Sequence, residues 1–284
     1  MSKNNKKIIF WGTPDFTIDF LNLLYENDYT PVIVITNPDR KSGRGMKTNS
    51  PIPKKWASEK DIKILQPETI DKNFYNELKK EEYDLSIVIA YGKIIPEDII
   101  NIPKFGTINV HYSNLPKYRG ATPVESAILN GDLQTGISIQ KMRYKLDSGP
   151  IIASEMLDID SNDTTPILRD KLNNITKQIF IKTIDNIFNE TITPKEQDET
   201  KSTFCKKIKK EDGEINFEDS SLTNYRKYKA YFGSIGTYFF LERNNKKTKI
   251  KINKASFEKN QFVIEEVTPE NSRKIKYDLF LKSI

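Results

Sequence analysis

The chain has 284 residues, 37% hydrophobic and 30% charged, with a formal net charge of +6 at pH 7, which suits a mid-sized α/β domain with a smaller companion and a buried core. No run of about 18 apolar residues is present to cross a membrane, and the polar, basic start leads straight into a strand-like run, so a cytoplasmic setting without membrane association is expected. One cysteine, Cys205, and one histidine, His111, leave no intrachain disulfide and almost no ligands for zinc, so the expected chemistry is metal-free.

Lys7–Trp11 reads as a buried strand ending in Gly12-Thr13-Pro14, and an amphipathic stretch follows to about Asn27. Thr13 is placed to cap that helix and Pro14 to occupy its first position. Pro31–Thr36 is a second strand, apolar and β-branched as in a parallel sheet. A polar loop runs from Asn37 to Ser50, followed by a helix around Pro53–Lys60, a short strand at Ile62–Leu65 and a helix near Phe74–Glu81. Asp84–Ala90 and Gly106–His111 are the fourth and fifth strands. Strands alternating with helices mean βαβ units and a Rossmann-like, doubly wound α/β sheet. Thr135–Met142 and Pro150–Leu157 add two strands, the second expected antiparallel at an edge, and Thr165–Phe188 is a long amphipathic helix. The polar stretch 189–203, with Pro194, reads as a linker. Beyond it, the short alternating runs Gly236–Leu241, Lys249–Ile252 and Phe262–Val267 suggest a small β domain. The expected organisation is an α/β domain over 1–188, a linker over 189–203 and a β domain over 204–284. The aromatic residues between 225 and 240 are expected to be core.

Charge is uneven along the chain. Residues 201–284 hold 19 Lys and Arg against 11 Asp and Glu, while residues 1–200 hold 26 against 28. A basic module beside a near-neutral one suits a polyanionic partner, although a solvated lysine-rich surface accounts for the composition equally well.

Two phosphate-binding devices are missing. A single glycine, Gly12, follows the first strand where a dinucleotide site carries G-x-G-x-x-G, and no G-x-x-x-x-G-K-[ST] occurs. The dense signal runs instead from Asn109 to Gly149. Asn109 and His111 are two apart at the end of a strand, so their side chains share a face, and ligands of open α/β sheets sit beyond such carboxyl ends. A carboxamide and an imidazole there supply a donor for a developing oxyanion and a group that moves protons near neutral pH. Asp147, in the loop between the two later strands, is positioned to orient His111. A satisfied structural histidine and a turn carboxylate are the plainer alternative.

The segment Asn109–Gly120 with Leu146-Asp147-Ser148-Gly149 closely resembles the folate-dependent formyltransferases. Phe10–Phe16, Asn37–Lys47 with Pro51-Ile52-Pro53, and Ala90–Pro96 narrow the resemblance to the branch that acts on methionyl-tRNA. The resemblance implies transfer of a formyl group from 10-formyltetrahydrofolate, a co-substrate, to the α-amine of aminoacylated initiator tRNA, by a metal-free enzyme acting as a monomer. It makes Asn109, His111 and Asp147 the catalytic trio. Tyr91, Gly92, Ile94 and Pro96, largely through backbone groups, together with Ser113, Asn114, Leu115 and Pro116, would hold the reduced folate. Arg44 would meet the tRNA acceptor end from a loop that also carries Arg40, Lys41 and Lys47, and the basic run Lys206, Lys207, Lys209 and Lys210 would add tRNA contacts from an OB-like C-terminal domain. Asn114 stands where Leu is usual, Lys145 where Gly is usual and Pro150 where an acidic residue is usual. The C-terminal region is shorter than is typical, so the OB-like domain is expected to be shortened. A sugar-nucleotide N-formyltransferase with the same trio, and a non-catalytic RNA-binding protein on a decayed transferase fold, are the alternatives. The basic loop and tail weigh against the first, and the intact trio against the second.

Overall fold

The structure, a computed structural model, describes residues 6–42, 47–243 and 246–283. Its strands are β1 Ile8–Gly12, β2 Pro31–Ile35, β3 Arg40–Ser42, β4 Lys47–Asn49, β5 Lys63–Leu65, β6 Leu85–Ile89, β7 Thr107–His111, β8 Arg119–Gly120, β9 Gln134–Lys141, β10 Ile151–Asp158, β11 Phe204–Cys205, β12 Thr237–Arg243, β13 Lys246–Glu258, β14 Gln261–Pro269 and β15 Ile275–Lys276. The helices are α1 Ile18–Glu26, α2 Ile52–Glu59, α3 Lys72–Leu78, α4 Glu97–Ile100, α5 Pro123–Asn130, α6 Thr165–Phe188, α7 Ser221–Tyr231 and α8 Tyr277–Lys282. No helix among the described residues is long and apolar enough to cross a membrane.

The central sheet has the order β10-β9-β7-β6-β1-β2-β5. The strands from β5 to β7 run parallel, and β9 lies antiparallel to β7. Ile8, Ile9, Phe10, Leu85, Ile87 and Ile89 are fully buried, as strands covered on both faces require. The chain winds outward from β1 through β2 to β5, then returns to β6 on the other side, which makes the carboxyl ends of β1 and β6 the switch point, where ligands of such sheets bind. His111 closes β7 on that edge. The expected doubly wound α/β sheet and the edge position of the strand after Pro150 are as read from the sequence.

The start of the first helix differs. A 3-10 turn, Asp15–Thr17, intervenes, and no side chain caps α1. Both the amide and the hydroxyl of Thr17 donate to the Pro14 carbonyl, at 3.0 and 2.7 Å, which closes the turn before the helix begins. Thr13 is used elsewhere, its hydroxyl accepting the Asn37 amide at 3.2 Å. The polar loop 37–50 contains the hairpin β3–β4, rooted by Asp39. That carboxylate accepts from Ser50 (2.9 Å), Lys54 (2.7 Å) and Gln66 (2.9 Å).

The chain packs as two compact units. The first comprises residues up to Arg119, Gly136–Glu155 and Asn173–Thr203. The second comprises Gly120–Thr135, Met156–Leu172 and the chain from Phe204 onward. Residues 189–203 therefore pack with the α/β unit: Lys195 pairs with Ile151 of β10. Residues 120–135 and 156–172 pack with the C-terminal sheet instead. Within that second unit α5 lies against α7, and the Thr165 hydroxyl donates to the Ala230 carbonyl at 2.6 Å. The antiparallel sheet β12-β13-β14-β15 closes over Ile215, Tyr225, Tyr228, Phe239, Ile250, Val267 and Phe280. Tyr231 and Tyr238 are also buried, whereas Phe232 is 40% exposed, the exception among the aromatic residues expected as core. The β13–β14 turn places Lys259 and Asn260 at φ +48° and +62°, the twist that a two-residue hairpin loop needs.

Candidate active site

Asn109 and His111 lie on one face of β7, beside Gln140 and Ser138 of the antiparallel neighbour β9. Asn109 is half-buried, and no partner for its carboxamide exists among the described residues. His111 is 6% exposed, with Nε2 at 2.8 Å from the Tyr118 carbonyl oxygen. A carbonyl only accepts, so Nε2 carries the hydrogen. Nδ1 faces Asp147 Oδ2 at 3.7 Å. A proton there makes the contact an ion pair; without one, a lone pair opposes a carboxylate.

Beyond His111, Asp147 is held by two glutamines. Its Oδ1 accepts from Gln140 Nε2 at 3.0 Å, and its carbonyl accepts from Gln197 Nε2 at 2.9 Å. Gln140 also accepts the Gly149 amide at 3.1 Å, and Gln197 also donates to the Gly149 carbonyl at 2.7 Å. A Cβ on Gly149 would lie 1.7 Å from the Lys141 carbonyl oxygen, which is why glycine ends the Leu-Asp-Ser-Gly run. Asp147 itself sits at φ +45° and Tyr118 at +58°. Such strained residues persist where surrounding contacts over-determine them.

Behind this layer lies Arg119, fully buried. Its Nε and Nη2 donate to Gln197 Oε1 at 3.0 and 2.6 Å, and its Nη1 and Nη2 to Glu199 at 3.1 and 2.7 Å. Lys145 joins Glu199 at 2.8 Å. The hydrogen bonds from Arg119 and then Lys145 hold the Glu199 carboxyl down at about 2. Lys145, a departure from the family pattern, thus has a definite ion-pair role. Pro150 is buried, and its carbonyl accepts the Lys141 amide at 2.9 Å. Asn114 is exposed.

The proposed folate residues are divided. The Tyr91 ring is 2% exposed and packs edge-on against Trp11 at 5.1 Å. Burial raises its hydroxyl pKa, and that hydroxyl has no partner among the described residues. Its carbonyl accepts from Asn37 Nδ2 at 3.1 Å, while Asn37 Oδ1 is buried and unmet by any described residue. Gly92 is exposed at φ +82°, and a Cβ there would meet nothing within 4 Å. Ile94 is 82% exposed and Pro96 half-buried. Ser113 is spent internally, its hydroxyl donating to the Lys117 carbonyl and its carbonyl accepting from Ser138. Leu115 is buried, its amide held by Ser138 at 3.0 Å, and Pro116 follows through a cis peptide.

Among the expected tRNA contacts, Arg40 is exposed on β3. Lys41 and Lys47 lie in the hairpin strands with side chains outside the description, and Arg44 falls outside the described residues. Lys206, Lys207, Lys209 and Lys210 are all exposed, in the second unit.

Sequence reading missed Gln140, Gln197 and Arg119. Gln140 was signalled only by its alternation with Ser138, Arg119 only by lying within the segment Asn109–Gly120, and Gln197 by nothing local.

A carboxamide and an imidazole on one face of β7, with a carboxylate 3.7 Å from the imidazole, are groups of the kind that acyl transfer uses. A family model for formyl transferases matches residues 6–184, and the chain belongs to that family. The methionyl-tRNA formyltransferase of Sulfurihydrogenibium sp. (strain YO3AOP1) is 42% identical over 226 residues, covering 79% of this chain and 73% of that protein. Two solved structures share the fold. The methionyl-tRNA formyltransferase from Clostridium thermocellum has a TM-score of 0.63 at 17% identity, covering 95% of this chain and 99% of that one. The N-formyltransferase from Helicobacter canadensis, solved with folinic acid and dTDP-3-aminofucose, has a TM-score of 0.66 at 20% identity, covering 91% of this chain and 95% of that one.

Proposed function

We propose that the chain transfers the formyl group of 10-formyltetrahydrofolate to the α-amine of initiator methionyl-tRNA, giving N-formylmethionyl-tRNA for translation initiation. The supporting observation is the Asn109, His111 and Asp147 set, braced at the sheet edge, in a chain whose curated relative at 42% identity bears that name. As the amine attacks the formyl carbon, the carbonyl oxygen gains negative charge. Asn109 is the donor ready to meet it, and the His111 imidazolium adds charge and a second N–H. Because Nε2–H is held by the Tyr118 carbonyl, substrate has to draw that hydrogen away before it serves the oxyanion. Hydrogen bonds of this kind tighten only in the loaded complex. Asp147 orients the ring and helps carry off the amine proton; as the tetrahedral intermediate collapses, the bond from the formyl carbon to N10 breaks and a proton takes its place on the released tetrahydrofolate.

The backbone at Tyr91–Pro96 and the Ser113–Pro116 turn are the groups that would hold the folate, with the unmet Asn37 Oδ1 as an acceptor beside them. Arg40, Lys41, Arg44 and Lys47 would meet the acceptor end of the tRNA. In this reading residues 1–188 form the catalytic domain, 189–203 the connection and 204–284, with Lys206, Lys207, Lys209 and Lys210, the tRNA-binding β domain. The enzyme acts as a monomer in the cytoplasm.

The test is incubation with 10-formyltetrahydrofolate and methionyl-tRNA, with an amino-sugar nucleotide offered in parallel. Formylated methionyl-tRNA is expected, and His111→Ala or Asn109→Ala should lower turnover by about 10²-fold or more. Formylation of the amino sugar alone would overturn the reading.

A further inference from the structure

Each ring nitrogen of His111 faces one group. The Tyr118 carbonyl oxygen lies 2.8 Å from Nε2, and Asp147 Oδ2 lies 3.7 Å from Nδ1. Tyr118 and Asp147 both have left-handed backbones, at φ +58° and +45°, which residues other than glycine keep only where contacts impose them. The aim of each group at the ring therefore depends on whatever fixes those two backbones.

One short stretch, residues 197–203, reaches both. At its end Thr203 holds the Tyr118 side with three hydrogen bonds. The Thr203 hydroxyl accepts the Tyr118 amide at 2.8 Å, its carbonyl accepts the Arg119 amide at 2.8 Å, and its amide donates to the Pro116 carbonyl at 3.2 Å. At the start of the stretch Gln197 holds the Asp147 side, its Nε2 donating to the carbonyls of Asp147 and Gly149 at 2.9 and 2.7 Å. The oxygen of the same carboxamide accepts from Arg119, so the two sides are joined through the residue that follows Tyr118. Between them a 3-10 turn, Glu199–Lys201, stiffens the stretch, with the Asp198 side chain accepting the Thr200 amide at 3.1 Å. Thr203 is exposed and Gln197 half-buried, yet both turn their polar groups inward, onto the two loops that flank the histidine.

We propose that Gln197 and Thr203 are positioning residues for His111, and that residues 197–203 form a strap setting where the Tyr118 carbonyl and the Asp147 carboxylate stand about the ring. Neither side chain bonds to the ring itself. If the Tyr118 peptide turns away, Nε2–H loses its acceptor; if the Asp147 backbone relaxes, Nδ1 loses its carboxylate. Either change lets the ring tilt from the setting in which it meets the formyl group. The proposal rests on the reading that His111 acts in formyl transfer.

His111 is the only histidine of the chain, so the full chain labelled with ring-15N histidine gives two nitrogen signals and no background. Without any substrate, Thr203→Val removes the hydroxyl at equal size and should move the Nε2 signal, whereas Thr203→Ser, which keeps the hydroxyl, should leave it in place. Gln197→Glu retains an acceptor for Arg119 but has no hydrogen to give the two carbonyls, and should move the Nδ1 signal. In steady-state formylation of methionyl-tRNA, Thr203→Val and Gln197→Glu should each lower kcat by about tenfold, with KM for both substrates unchanged. Thr203→Ser should keep the native rate. Thermal melts give the folded fraction at the assay temperature, to which kcat is referred. Histidine signals that stay in place in both Thr203→Val and Gln197→Glu overturn the proposal. So does a Thr203→Ser protein that behaves as Thr203→Val, or a native kcat per folded molecule in both variants. The histidine signals require no formyl transfer, so a chain that formylates no methionyl-tRNA refutes the acceptor reading and leaves this test standing.

Discussion

Replacing Gln140 by leucine keeps the volume of the side chain and removes its polar end. Gln140 is 1% exposed, so the groups it satisfies gain no water in exchange. The Gly149 amide loses its acceptor at 3.1 Å, and an unmet buried donor costs about 1–3 kcal/mol. Asp147 Oδ1 loses a donor at 3.0 Å. Hydrogen bonds to a charged group contribute about 1.5–3 kcal/mol, and the low end applies because the carboxylate remains partly solvated. The two losses share one side chain and do not simply add, so a destabilisation of about 3 kcal/mol is expected by urea unfolding. Gln140 touches no reacting atom and acts by positioning Asp147. In steady-state formylation kcat should therefore fall by about tenfold, as a small displacement of a catalytic group does, with KM for both substrates near the starting value. Combined with Asp147→Asn the effect on kcat should be strongly sub-additive. An undiminished kcat in a destabilised Gln140→Leu protein, or full additivity with Asp147→Asn, refutes the positioning argument.

Gly149→Ala forces a methyl group to within 1.7 Å of the Lys141 carbonyl oxygen; thermal unfolding should show a loss at or above the upper end of the about 1–3 kcal/mol typical of overpacking. Glu199 is held at about 2 against an ordinary 4.5. A depressed carboxyl stabilises the fold above its unfolded value, and the contribution is lost as pH falls toward the folded one. The stability difference between the native chain and Glu199→Gln should thus be level above about pH 5 and shrink between 4.5 and 2, and a difference that grows on acidification contradicts the assignment. Arg44→Ala should raise KM for methionyl-tRNA while leaving folate binding intact, as separate titrations with the two ligands would show. Removing the charges of Lys206, Lys207, Lys209 and Lys210 should weaken tRNA binding regardless of sequence and lower the slope of affinity against salt.

The parallel strands are legible because burial on both faces leaves near-continuous apolar runs, as in Ile8–Trp11 and, with Ser86 the one polar residue, Leu85–Ile89. The pairing of Asn109 with His111 is legible for a related reason: a strand has a period of two, so their common face needs no knowledge of any neighbour. What depends on distant partners is hidden. Gln140 becomes meaningful only once β9 is seen antiparallel to β7 and placed opposite Asn109. Arg119 needs Gln197 and Glu199, some 80 residues away, and both lie in a stretch whose polarity reads as a linker. The helix α7 escapes because Lys and Tyr alternate with buried Tyr225, Tyr228 and Lys229, which blurs the apolar stripe that marks a helix. Thr13 shows the reverse failure, a good capping residue diverted to the Asn37 amide by a turn that closes first.

The pairing of Lys195 with Ile151 also bears on the exposed edge of the central sheet. A sheet that ends in a row of unpaired amides and carbonyls is a template on which another chain can add a strand. Here β10 closes one end of the sheet, and the main chain at Lys195 gives and takes a hydrogen bond with Ile151, at 2.8 and 2.7 Å. At the other end β5 is only three residues long and carries Lys63, tied to Glu81. Brevity, charge and a borrowed stretch of backbone are among the means by which natural sheets resist fibrous self-association. The segment that reads as a mere connector is therefore also a stopper, and lengthening or deleting it carries an aggregation hazard that its surface position does not advertise.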